Sequence, residues 1–178
     1  MKTQHAFNGL AVLLEYPEGE FSSRLDQIEA CLSEFDESST EKLSAYFAAA
    51  RELDIYALEE LYTRTFDINP VCSLEVGWQI FGETYDRGGF LIKVSKALAS
   101  HGVPPSKELG DHLPQMLRLF GQANDDTRRD LAIGFLIPAI TKMLEGFSDN
   151  DGPYFSLLSY VPAAIDHVVT AQSEQSHA

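Results

Sequence analysis

Two short stretches of this sequence gather the residue types that could do chemistry. Tyr85-Asp86-Arg87-Gly88-Gly89 sets an acid and a guanidinium beside a glycine pair, and one helix further on comes Glu108-Leu109-Gly110-Asp111-His112-Leu113-Pro114. A carboxylate next to an imidazole is a possible acid–base pair or part of a metal site. A metal-dependent phosphohydrolase, however, draws His and Asp ligands from several helices, and here the pair stands alone in the order Asp-His. The histidines, His5, His101, His112, His167 and His177, are scattered, and Cys31 and Cys72 have no histidine neighbour that would activate a thiol. Gly88-Gly89 lacks the lysine and the spacing of a phosphate-cradling loop. No catalytic residue, metal or cofactor is therefore expected. A hydrolase built on Asp111-His112 remains a remote alternative.

The same residues suit binding. Pro114 fits the first turn of a helix, which places Asp111 and His112 near its positive end. Asp111 then has two open roles, contact with a cationic ligand or a helix cap. Tyr62 and Phe66 share a helix face, either as core or as the wall of a site, with Asp67 following. Trp78, Tyr85 and Arg87 are types enriched at protein-binding hot spots. Asp86, like Glu83 and Asp111, lies at an element end flanked by Gly or Pro, where it can meet a cation.

The elements that must position these residues read as helices. Phe7, Leu10, Ala11 and Leu14 form one face, ending near Glu15 before Tyr16-Pro17. Phe21, Leu25, Ile28, Leu32 and Phe35 form the next. Ser38 and Glu41 have capping-box spacing ahead of Leu43, Tyr46, Phe47, Ala50 and Leu53. Asp54 is placed to cap the helix carrying Leu58, Leu61, Tyr62 and Thr65. A short helix is expected within 73–81. A longer one carries Phe90, Leu91, Val94, Ala97 and Leu98 and ends at His101-Gly102. Leu113, Met116, Leu117 and Phe120 make another. The stretch from Leu131 to Leu144 is apolar nearly all round, which predicts a buried central helix kinked at Pro138. A turn at Asp149-Asn150-Asp151-Gly152 leads to a last helix with Tyr154, Leu158, Val161, Ile165 and Val168. No segment alternates with period two. The expectation is an all-α, single-domain helical bundle of about eight to ten helices over residues 1–171, with a disordered tail at 172–178.

Composition narrows the partners. The chain has 178 residues, 27 acidic side chains against 13 Lys and Arg, and a formal charge of −14. Such a surface repels phosphate backbones and anionic lipid, so nucleic acid is not expected, and a basic peptide is steered toward it. No window supplies the roughly 20 apolar residues of a membrane span. Met1-Lys2-Thr3-Gln4-His5 opens no signal-peptide pattern. Two distant cysteines fit a reduced, cytoplasmic setting.

Four stretches together resemble a known family. They are Leu13-Leu14-Glu15-Tyr16-Pro17, Leu61-Tyr62-Thr63-Arg64-Thr65-Phe66-Asp67, Tyr85-Asp86-Arg87-Gly88-Gly89-Phe90-Leu91, and Glu108 through Pro114. In order and approximate spacing they look like the redox-enzyme maturation chaperones, the nitrate reductase delta-subunit (NarJ-type) branch and its TorD and DmsD relatives. The resemblance covers residues 7–120. It implies an all-helical cytoplasmic chaperone, monomeric or homodimeric, that binds the N-terminal or twin-arginine signal segment of a molybdopterin-dependent oxidoreductase's catalytic subunit. Such a chaperone holds its client until the molybdenum cofactor is inserted, before export or membrane docking. The family's binding region maps to Tyr62, Phe66, Asp67, Asp111 and His112. Gly110 stands where nitrate reductase chaperones usually carry Pro, which leaves the client open among molybdoenzymes. A permanent helical adaptor subunit is the alternative from another class. On the chaperone reading, replacing Asp111 and His112 together by Ala weakens peptide binding and leaves the melting temperature nearly unchanged.

Overall fold

The computed structural model describes residues 1–19, 21–147 and 152–175, the side chains of 172–175 excepted. Ten helical rods follow one another among the described residues: α1 (Lys2–Leu13), α2 (Phe21–Phe35), α3 (Ser39–Lys42), α4 (Ser44–Glu52), α5 (Ile55–Tyr62, continued by a π turn Thr63–Asp67), α6 (Val76–Phe81), α7 (Tyr85–Ser100), α8 (Leu113–Gln122), α9 (Asp125–Leu131, a π turn Ala132–Leu136, then Ile137–Leu144) and α10 (Pro153–Gln175). No strand forms among the described residues, and the chain is an all-α bundle. Among the described residues no helix is long and apolar enough to cross a membrane.

Local signals set many of the boundaries. Asp54 caps α5 by accepting from the Ala57 N–H at 2.9 Å. Asn124 does the same for α9 through the Thr127 N–H, with Asp125 and Asp126 in the first turn where the helix dipole favours them. Ser38 behaves otherwise. Its hydroxyl donates to Asp36 Oδ2 at 2.8 Å and its backbone is already helical, so the capping box expected with Glu41 does not form. The preceding aspartate has taken its side chain, and the helix restarts at Ser44. Both π turns replace an i→i−4 bond by a longer one, Ile68 N–H to Thr63 O in α5 and Ile137 N–H to Ala132 O in α9. In α9 the cause is at hand: Pro138 has no N–H to offer the Gly134 carbonyl, and the ladder slips rather than breaks.

The core is built on α1 against α8. On α8, eight of ten residues are buried, and Gly121 lies so close to α1 that an added Cβ would sit 3.1 Å from the Phe7 Cβ and 3.3 Å from the Gln4 Cα. Phe7 fills the crossing, with its ring 4.5 Å from Phe120 and 6.0 Å from Phe35. The free carbonyls at the C-terminal end of α1 are met by tyrosine hydroxyls: Tyr46 donates to Leu13 O at 3.0 Å and Tyr62 to Leu14 O at 3.3 Å. These two bonds fasten α4 and α5 to the central pair.

The helix expected to be central is not. In α9, Ile133 is 65% exposed, and Gly134, Thr141 and Lys142 also face outward, while Leu131, Ala132, Leu136, Ala139, Ile140 and Met143 face the core. An apolar helix is free to leave one side open, and the shorter α8 takes the centre. Tyr154, Leu158, Val161, Ile165 and Val168 of α10 are all buried as their spacing predicts. That helix runs to Gln175, four residues into the segment read as a tail, while 176–178 lie outside the described residues, as do 149–151 of the expected turn. Truncating Phe7 to Ala opens a cavity at the α1–α8 crossing and costs about 3–5 kcal/mol of unfolding free energy, measurable as a shift of the urea midpoint.

Candidate functional site

A single groove of about 950 Å³ gathers much of what the sequence singles out. Its walls come from the end of α1 and the segment into α2 (Glu15, Tyr16, Glu18, Arg24), the π turn of α5 (Tyr62, Phe66, Asp67), the loop before α6 (Pro70, Ser73, Glu75) and Trp78 of α6. Arg87 of α7, the 106–108 loop, and His112 and Gln115 at the start of α8 close it. Tyr62 and Phe66 meet edge to face at 5.0 Å and rest on Tyr154, so they are wall and core at once; Tyr16 packs on Tyr62 at 5.4 Å.

The wall opposite these rings is held by one carboxylate. The Asp111 carbonyl accepts from Val76 N–H and Leu74 O accepts from Leu113 N–H, both at 2.8 Å, which pairs Glu75 with His112 in an isolated antiparallel bridge. Asp111 Oδ2 then accepts from Gly77 N–H at 3.1 Å and from Arg87 Nε and Nη2 at 3.4 Å. The aspartate is a cap, but for α6 rather than for the helix that follows it. Gly77 cannot be anything larger: a Cβ there would lie 2.5 Å from Asp111 Oδ2 and 3.0 Å from the Phe90 ring. Burial pushes the Asp111 carboxyl above its ordinary range, and the Arg87 charge only partly offsets this.

Asp111 is completely buried behind the groove wall and cannot touch a ligand in the groove. Pro114 occupies the first turn of α8, as expected, and is also buried. Tyr85 and Asp86 are exposed on the far side of α7 and do not line the groove, and neither does the glycine pair, which lies inside the first turns of that helix. Of the residues singled out, Tyr62, Phe66, Asp67, Trp78, Arg87 and His112 come together; Tyr85, Asp86, Asp111 and Pro114 do not.

Five carboxylates line the groove. Three are already engaged: Glu15 with Arg118 at 2.7 Å, Glu18 with Lys107 at 3.6 Å and Glu75 with Arg87 at 3.8 Å. Among the described residues no ion pair engages Asp67 or Glu108. Arg87 also lies over the Trp78 ring at 5.9 Å, which fixes its guanidinium between the indole, Glu75 and Asp111. Glu15 and Glu108 sit inside sequence stretches already singled out, so their motif carried a signal. Glu75, Gln115 and Gly77 had none, because their roles arise from contacts made far along the chain. Gln115 donates to Pro104 O at 3.1 Å while its Oε1 is buried without a partner. No three His, Cys, Asp or Glu side chains converge in a metal-binding arrangement among the described residues.

His112 lines the groove at the N-cap of α8 and makes no side-chain capping bond. Burial holds its imidazole below the ordinary value of 6.5, against the pull of Glu108, Glu75, Glu15 and Asp111. The fold thus prefers neutral His112, while the unfolded chain protonates near its ordinary value. The stability this contributes is whole above about pH 6.5 and is lost as the pH falls from there toward the depressed folded value. Between pH 7.5 and 5.5, urea midpoints should fall further for the natural chain than for His112→Gln. Asp111→Ala, by contrast, strips the Gly77 N–H and Arg87 of their acceptor and should cost roughly 1–3 kcal/mol. That corrects the expectation that the Asp111 and His112 double substitution leaves stability unchanged; thermal melts of the Asp111→Ala single variant read it directly.

No protein-family model and no curated protein matches the chain, so the site is read from its own chemistry.

Proposed function

We propose that the chain is a binding chaperone whose groove takes the N-terminal segment of a molybdoenzyme catalytic subunit, in the cytoplasm and before export or membrane docking. The observation that carries this reading is the groove itself: aromatic walls from Tyr16, Tyr62, Phe66 and Trp78 combined with a surplus of carboxylates in one cleft of about 950 Å³. A twin-arginine segment has the complementary chemistry. Its guanidiniums form charge-assisted, bidentate bonds with carboxylates, and its apolar run lies on the rings.

The two unpaired acids take the arginines. Asp67 at the end of the α5 π turn and Glu108 in the loop before α8 line the groove with no ion-pair partner among the described residues. A net charge of −14 raises the encounter rate for a cationic segment and makes it sensitive to salt. The four sequence stretches that resemble maturation chaperones point the same way, and each contributes to this groove: Glu15 and Tyr16 from the first, Tyr62 and Phe66 from the second, Arg87 from the third, Glu108 and His112 from the last.

Isothermal titration with a synthetic peptide carrying two adjacent arginines followed by an apolar run tests the reading. The natural chain binds it, and Asp67→Asn with Glu108→Gln weakens it about tenfold, or roughly 1.4 kcal/mol, without changing the melting temperature. Exchanging both arginines of the peptide for lysines lowers affinity as well, because the ammonium cannot pair in bidentate fashion. Equal affinity for peptides with and without the arginines would sink the proposal.

A further inference from the structure

Nothing among the described residues covers one face of α7. The helix buries Phe90, Val94 and Leu98 and turns Arg87 to the groove, whereas Tyr85, Gly88, Gly89, Ile92 and Lys96 line the opposite side at helical spacing. Tyr85 is fully exposed, Ile92 is 60% exposed, and a Cβ on Gly88 or Gly89 would meet no atom within 4 Å. The stripe is therefore a bulky aromatic, a two-glycine hollow and a branched aliphatic in a row. Asp86 and Lys93 border it, two turns apart and hence on the same edge, both exposed and neither in an ion pair among the described residues.

We propose that this face pairs with the same face of a second copy of the chain, the two α7 helices running antiparallel about a two-fold axis. Such an axis brings the same edge of each helix together in reversed order. An acid at the start of the edge then meets a base two turns along on the other copy, so Asp86 of each chain pairs with Lys93 of the other. Ile92 of each copy seats in the hollow over Gly88 and Gly89 of the other, beside its Tyr85. A parallel arrangement turns this edge against the other edge of the second copy, which carries Leu91 and Ser95 and offers Asp86 and Lys93 no charged partner. The charge order on the edge is thus complementary to itself only in the antiparallel sense. It also supplies local attraction in a chain whose net charge of −14 otherwise drives copies apart.

The dimer leaves the groove open, because Arg87 and the groove lie on the other side of α7. A 16-residue helix is about 24 Å long, so the contact falls at the small end of specific interfaces and the dimer is a weak, concentration-dependent one.

Sedimentation velocity of the full chain in low salt, from about 5 to 500 µM, tests the pairing across that range. The natural chain shifts from monomer to dimer as concentration rises. Asp86→Lys alone and Lys93→Asp alone each weaken the dimer roughly tenfold or more, and the two reversals combined restore it. Gly89→Arg fills the hollow and leaves a monomer. All three substitutions are at exposed positions, and far-UV circular dichroism checks that each of the four variants is folded. A chain that stays monomeric throughout overturns the proposal, as does a dimer indifferent to both single reversals or one that the double reversal fails to recover.

Discussion

The buried carboxylate of Asp111 is the fastening on which the groove depends. Helix α6 has only six residues, too few to be stable by its own hydrogen bonds. Asp111 supplies acceptors to its first two N–H groups, through the main-chain carbonyl for Val76 and the side chain for Gly77. The same carboxylate draws Arg87 inward from α7. Three segments distant in sequence meet at one ion, and each presents a groove residue: Trp78 from α6, Arg87 from α7 and His112 from the turn itself. The arrangement is costly in solvation, which is why the acid's proton affinity rises despite its partner. What it supplies is a unique geometry for a wall that has little hydrophobic area of its own.

The electrostatics of the groove follow a similar division. Arg118 and Arg87 hold Glu15 and Glu75 in place, the exposed Lys107–Glu18 pair is looser, and Asp67 and Glu108 have no ion-pair partner among the described residues. The aromatic side is rigid for a different reason. Tyr62 spends its hydroxyl on the end of α1, and its ring is clamped between Tyr16, Phe66 and Tyr154. Its hydroxyl proton is held far more tightly than in water, since burial and the neighbouring Asp67 both oppose the phenolate. The site thus combines immobile rings with two charges at its rim.

How much of this was legible in the sequence varied with the range of the interaction. Helical spacing placed the faces of α1, α2, α5, α7, α8 and α10, because a 3.6-residue period is a local property. The Asp54 cap was equally local. The Ser38 cap does not form because Asp36, two residues earlier, takes its hydroxyl. The stretch 131–144 misled because hydropathy reports what a helix tolerates, not whether other helices cover it; α8 became central through the close approach at Gly121, which no periodicity reveals. Among site residues, Tyr62, Phe66, Trp78 and His112 were found by type and position. Asp111 was found for the wrong reason, since its partner Gly77 lies 34 positions away and nothing near it in sequence marks the bond. Tyr85 and Asp86 were drawn into the site by adjacency to Arg87, although neighbours on a helix point to different sides.

The π turn that ends α5 has a further consequence. It accommodates one residue more than an α-helical ladder would between Thr63 and Ile68, and thereby sets the phase of everything after it. If the same residues closed as an ordinary α-helical ladder instead, the side chains after Thr63 would be turned by up to about 100° about the axis. Asp67 would leave the cleft, and the exposed Ile68 would swing in the same sense. The place of Asp67 on the groove is thus set by a single helical irregularity at the end of α5.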